Sequence, residues 1–162
     1  MTTKKSNEQM QKVEVIIHID APREAVWAYM ADLPFVRALP FTTMEVIGEP
    51  VNVGTVNRLT FALPFGVTFR FDEVVTEWVE NERIAYRAIS GWAMRAEAVL
   101  KPEDGGTCFR FTLHYRFPGL WKLTPHWLME LGCRQGLENL RKMIETKSKK
   151  EEMENAHPAE LH

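Results

Sequence analysis

Cysteine is scarce in this 162-residue chain: there are two, Cys108 and Cys133. They stand far apart and without metal-ligand spacing, which argues against a disulfide framework or a zinc knuckle and favours structural thiols. An excess of one charge is also missing. Twenty basic residues face 22 acidic ones, for a net charge of −2. That balance offers no general polyanion-binding face, so nucleic acid is not an expected partner. No uninterrupted apolar run approaches the ~20 residues needed to cross a bilayer. Met1 to Lys12 is polar and carries no apolar signal core, which makes a reducing cytoplasm the default compartment.

Catalytic signatures are lacking as well. The chain has no Gly-rich phosphate loop, no Ser-His-Asp order and no Cys-x-x-Cys pair. Of its five histidines, His18 and His114 fall on polar strand faces, His126 opens a helix, and His157 and His162 lie near the end. None has an acidic partner at ligand spacing, so neither a metal nor a cofactor is expected.

What the sequence does hold is one domain's worth of apolar patterning, enough to bury roughly 70% of the unfolded surface. Residues 1–11 read as a flexible arm, 12–147 as the folded domain and 148–162 as a charged, flexible tail. Val13, Val15, Ile17 and Ile19 alternate with polar residues as a half-buried strand requires. Asp20-Ala21-Pro22 and Asp32-Leu33-Pro34 each offer an N-cap carboxylate and a first-turn proline, predicting two short helices. Six strands follow, near 42–48, 53–63, 67–79, 83–90, 92–101 and 107–117, separated by short turns that imply antiparallel neighbours. Thr124-Pro125 then opens a long helix. Met129, Cys133, Gly136, Leu137, Leu140, Met143 and Ile144 form one stripe of it. Trp121, Leu123, Trp127, Leu128 and Leu131 fall off that stripe and call for a second burial partner.

This order of elements resembles the START-like helix-grip (SRPBCC) superfamily, which includes polyketide cyclases and dehydrases, coenzyme Q-binding proteins and lipid-transfer domains. The likeness rests on the opening strand running into Ile19-Asp20-Ala21-Pro22-Arg23-Glu24-Ala25-Val26-Trp27, and on Val74-Val75-Thr76-Glu77-Trp78 leading to Arg83-Ile84-Ala85-Tyr86. It rests also on Gly105-Gly106-Thr107 before an aromatic last strand and a closing helix. The resemblance implies an α+β helix-grip fold: a curved seven-stranded antiparallel sheet, two short helices after the first strand, and a long C-terminal helix over the concave face. It implies a cavity between sheet and helix.

For that cavity the sheet would supply Phe69, Phe71, Tyr86 and Trp92, then Met94, Phe109, Phe111 and Tyr115; the helix would supply Met129, Cys133 and Leu137. The plainer alternative is that these side chains fill a solid core. Ala96, Ala98 and Gly136 leave room between the large residues. No catalytic residue is assigned. Arg58, Glu73 and Tyr86 are the weak candidates; alternation lets Arg58 and Glu73 point either way, and the surface is the expected side for both, a bulge after Asp72 turning Val74 and Thr76 inward instead of Glu73. Phe35, Phe41 and Phe65 sit near turns or helix ends and are expected at a pocket rim. That apolar rim reads equally as a second core, a pocket mouth, or a transient contact with a membrane or protein.

Three functions are compatible with this sequence. The first is binding or transport of a small hydrophobic molecule, lipid-like or aromatic and polyketide-like, without catalysis. The second is a cyclase or dehydratase on the same scaffold. The third is a protein-interaction module using the outer strand face with Arg95, Glu97, Arg110 and Arg116.

Overall fold

Alternation of apolar and polar residues decides which side of each strand turns to the core. The computed structural model describes residues 9–31, 42–47, 52–62 and 64–156. Strand β1 (Gln11–Ile19) buries Val13, Val15, Ile17 and Ile19 and exposes the residues between them. Helix α1 (Arg23–Ala31) follows and buries Val26, Trp27 and Met30. The second short helix expected after Asp32 lies outside the described residues, as do Phe35 and Phe41. Next come β2 (Thr42–Ile47), β3 (Val56–Ala62), β4 (Thr68–Val79), β5 (Arg83–Ala88), β6 (Ala93–Glu103) and β7 (Gly106–Arg116). Helix α2 (His126–Ala156) is the last of the described elements.

The strands form one antiparallel seven-stranded sheet in the order β1-β7-β6-β5-β4-β3-β2. The first and last strands are therefore neighbours. Two irregularities set its detail. A register shift between Val75 and Glu77 lets Phe69, Phe71, Glu73 and Val75 keep one face, then brings Trp78 back to that face opposite Ile84. The bulge thus follows Val75 rather than Asp72, and Val74 does not turn inward. The second is the β6–β7 hairpin, which is tighter than the Pro102–Gly106 stretch suggested. Glu103 pairs with Gly106 across Asp104 and Gly105, both at positive φ (34° and 80°), as a two-residue hairpin turn requires. Pro102 is tolerated inside β6. The Leu100 N–H points towards β5, to the Glu82 carbonyl at 2.8 Å. The nitrogen of Pro102 has the same orientation but lies past the end of β5, so its missing N–H removes no ladder bond.

The inner face is a continuous apolar core that takes Leu137, Leu140 and Ile144 from α2. The second half of α2 is pinned there. The Asp20 N–H donates to Glu145 Oε1 at 2.9 Å, and Lys147 Nζ lies 5.6 Å from the Tyr29 ring centre on α1. Beyond Lys147 the chain remains helical to Ala156 rather than leaving the helix where the sequence placed the tail. Lys147–Glu151 and Lys150–Glu154 pairs at 3.9 and 3.8 Å line this exposed end, the spacing that supports a solvated helix by a few tenths of a kcal/mol.

The outer face carries its charge in stripes. Lys12, His114, Arg95 and Arg87 are direct cross-strand partners in one row. The next row holds Glu14, Thr112, Glu97 and Glu77. Ion pairs run between the two rows and into the Arg83 row beyond: Lys12–Glu14 at 3.2 Å, Arg83–Glu77 at 3.2 Å and Arg83–Glu97 at 3.1 Å. Exposed pairs of this kind contribute about 0–1 kcal/mol each. They keep the face wet.

Candidate functional site

Parity along β3 and β4 puts Arg58 on the outer face, as expected from the sequence, and turns Glu73 inward, against the expected surface position. Arg58 and Asp72 are cross-strand partners on the outer face. They form a two-point ion pair, Nε to Oδ1 at 2.8 Å and Nη2 to Oδ2 at 3.0 Å. The Arg58 guanidinium holds the Asp72 carboxyl below its ordinary range. Arg58 is thereby removed from the candidate site: its guanidinium is spent on the opposite side of the sheet.

Asn57 and Glu73, one step along, are partners on the inner face. Both are buried, at 3% and 8% exposure. Asn57 Nδ2 donates to Glu73 Oε1 at 3.3 Å. Burial pushes the Glu73 carboxyl up from 4.5 to about 7, against the lowering effect of the Asn57 bond. Its surroundings explain this. Ala88 is its direct partner on β5, while Phe71 and Val75 flank it on its own strand, and desolvation disfavours the charged form. Tyr86 faces the same side, opposite Val75 and Ala96. Its hydroxyl is pushed up first by burial and then by the nearby Glu73 carboxylate. The neutral phenol is therefore the form present at physiological pH.

Asn57 was not singled out from the sequence, although the alternation Asn57–Leu59–Phe61 carried the signal. Its remaining oxygen is the informative one: Oδ1 is buried and has no hydrogen-bond partner among the described residues. Buried polar atoms are satisfied in the great majority of cases, so each exception needs a reason.

Next to this pair lies a block of interlocked aromatic rings. Gly91, at φ +83°, turns the β5–β6 connection so tightly against β4 that a Cβ there would stand 2.7 Å from Phe71 Cβ. This close approach lays Trp92 against Phe71 and Phe69, with ring centres at 5.1 and 5.7 Å. Phe117 stacks on Trp92 at 5.1 Å and Trp121 meets Phe69 at 5.3 Å. Trp92 Nε1 is also buried without a partner among the described residues. Tyr115 finds one, its hydroxyl lying 3.1 Å from His126 Nδ1 at the start of α2.

All the expected lining residues lie on the inner face or on the helix stripe, but in two groups. Phe71, Met94, Phe109, Phe111, Tyr115 and Leu137 are buried in the core, whereas Phe69, Tyr86, Trp92, Met129 and Cys133 are half-buried. Cys133 behaves as a sheltered thiol, its pKa raised by burial to about 11. Upstream on α2 and its 3-10 lead-in (Gly119–Leu123), apolar residues are left in solvent: Leu120, Leu123, Trp127, Leu128 and Leu131. The second burial partner expected for them is not supplied by the described residues. Phe65, in the short turn between β3 and β4, is fully exposed with φ at +64°. The Phe69–Trp121 contact puts that turn and the β7–α2 connection at the same end of the sheet.

Among the described residues no group of three His, Cys, Asp or Glu is placed to hold a metal ion. No helix among them is long and apolar enough to cross a membrane.

The profile of the family described as Polyketide cyclase / dehydrase and lipid transport matches residues 10–145. Curated protein sequences give no significant match. Among solved structures, TTHA0849 from Thermus thermophilus is similar at 24% identity and a TM-score of 0.72, covering 85% of this chain and 99% of that one. CV1439 from Chromobacterium violaceum is similar at 24% identity and a TM-score of 0.68, covering 83% and 97%. The Zhui aromatase/cyclase from Streptomyces sp. R1128 is similar at 20% identity and a TM-score of 0.66, covering 86% and 94%. At these identities the likeness shows a shared fold.

Proposed function

The chain belongs to the family described as Polyketide cyclase / dehydrase and lipid transport, and from that premise we propose that it binds a small hydrophobic molecule, lipid-like or aromatic, between the inner sheet face and α2. The observation that carries this reading is the Asn57–Glu73 pair. A carboxyl and an amide sit inside an apolar shell, and the amide oxygen has no hydrogen-bond partner among the described residues. Binding sites have this composition: mostly apolar walls supply affinity through burial, and a few polar groups fix orientation. The half-buried Phe69, Tyr86, Trp92, Met129 and Cys133 are the walls.

We place the mouth at the end of the sheet where Phe65, Leu120 and Leu123 are exposed. Large apolar residues gathered in solvent mark places where something docks or passes.

Native mass spectrometry of freshly purified protein, with organic extraction of anything bound, tests this function. A discrete adduct of apolar or aromatic mass is the expected result. A clean apo mass, together with no uptake of a fluorescent apolar probe, would remove the pocket reading.

A second reading is favoured by one specific feature, the Glu73 carboxyl with its pKa about 7 beside the Tyr86 hydroxyl. A group that is half-protonated at working pH can both give and take a proton. The Zhui protein is an aromatase/cyclase, and dehydration or cyclisation of a bound polyketide-like molecule would use such a group. The signature of that chemistry is turnover lost in Glu73→Gln with binding retained.

A further inference from the structure

The identity of the ligand's polar end can be narrowed from the groups that would meet it. Asn57 and Glu73 are direct partners across β3 and β4 on the inner face. The amide spends its donor on the carboxyl, Nδ2 to Oε1 at 3.3 Å. What Asn57 has left is an acceptor, the buried Oδ1, which has no partner among the described residues. Beside it stands a carboxyl, which in its ionised form accepts only. Above about pH 7, where that carboxyl is ionised, two acceptors therefore lie side by side in an apolar setting.

No positive charge faces them from the sheet. Among the described strand residues that share this face, none is Lys or Arg: β3 offers Leu59 and Phe61, β4 Phe71 and Val75, and β5 Ile84, Tyr86 and Ala88. Arg58, the nearest arginine in sequence, is on the other side of the sheet with Asp72. An anionic head group would set a second negative charge against Glu73 without a counter-ion, and both would be desolvated. A hydroxyl would donate to Oδ1 or to the carboxylate, and an ammonium would form a charge-assisted bond.

We infer that the site takes an apolar molecule whose polar end donates hydrogen bonds, an alcohol, phenol or amine, and that it rejects carboxylates and other anions. This rests on the pocket reading above and adds the sign of the head group to it. Specificity here comes as much from repulsion as from attraction.

Three probes of equal chain length separate the possibilities: 1-octanol, octylamine and octanoate, each titrated calorimetrically into the protein at pH 8. The expected result is binding of the alcohol and the amine, with octanoate at least about tenfold weaker. Glu73→Gln, checked for folding by circular dichroism, should erase most of that gap by strengthening octanoate and weakening octylamine. Asn57→Leu, which leaves the carboxyl in place, should weaken 1-octanol. Octanoate binding to the native protein as tightly as octylamine would overturn the head-group inference while leaving the pocket standing. A gap unchanged in Glu73→Gln would overturn it too. Failure of all three probes to bind would overturn the pocket itself, and the inference with it.

Discussion

Glu73 faces Asn57 across the β3–β4 ladder, and the Asn57 amide is the hydrogen-bond donor found at its carboxyl among the described residues. One neutral donor at 3.3 Å does not offset the cost of burying a carboxylate, and the Glu73 pKa rises from 4.5 to about 7.

The pH dependence of stability follows from that shift. Below pH 4.5 the carboxyl is neutral in both the folded and the unfolded chain, and its burial is no handicap. Between pH 4.5 and about 7 the unfolded chain gives up the proton first, so stability falls as pH rises. Above about pH 7 the full cost is present, on the order of 3 kcal/mol as an upper bound. Glu73→Gln should therefore be clearly more stable than the native protein at pH 8 and nearly equal to it at pH 4.5. Urea unfolding at the two pH values checks this. Equal stability at pH 8 would mean that Glu73 is solvated.

The legibility of this site from sequence was uneven, for reasons of parity. Strand alternation alone brought Phe69, Phe71, Phe109, Phe111 and Tyr115 to one face, and the helical stripe identified Leu137 and Cys133. Period-2 patterns do not say where a bulge falls, however, and the expected surface position of Glu73 is wrong: the shift lies after it, between Val75 and Glu77, so Glu73 stays on the face of Phe69 and Phe71. Arg58 does lie on the surface side expected of it, held there by its bidentate bond to Asp72. Asn57 went unnoticed because polar residues in a strand read as solvent-facing; only its register with Glu73 turns it inward. The charge stripes of the outer face were likewise invisible, since they are a property of pairing between strands.

Phe65 tests whether exposed apolar residues at the sheet's end serve uptake. It is fully solvent-exposed and has φ +64°, a backbone region that costs an L side chain roughly 1 kcal/mol. Folding gains nothing from a phenyl ring there. Phe65→Asn, which tolerates that conformation, should leave thermal stability unchanged or slightly raised. Phe65→Asp should slow the uptake of a fluorescent apolar probe in stopped-flow measurements. Native uptake rates in Phe65→Asp would dismiss the proposed mouth.

Cys133 reports on the helix side of the pocket. Its thiol is half-buried, and its pKa is raised by burial to about 11, so little thiolate is present at pH 8. Alkylation followed by peptide mass spectrometry should show slow labelling of Cys133, slower still with 1-octanol bound. Rapid labelling that 1-octanol does not alter would remove Cys133 from the walls.

Leu137 marks where the pocket ends and the core begins. It is fully buried between α2 and the sheet, and truncating such a leucine costs about 2–5 kcal/mol. Leu137→Ala should lower the urea midpoint sharply. Half-buried Met129, two turns earlier, should tolerate alanine with a loss below about 2 kcal/mol but with weakened ligand binding. The reverse ranking would move the pocket towards the C-terminal half of α2.

The binding site itself is tested most directly by titrating 15N-labelled protein with 1-octanol and following amide and indole resonances. Saturable shifts are expected at Asn57, Glu73, Tyr86, the Trp92 indole N–H and Cys133, with the outer-face residues Arg95, Glu97 and Arg110 unmoved. Shifts confined to the outer face, or no saturable change at all, would contradict a ligand held between the sheet and α2.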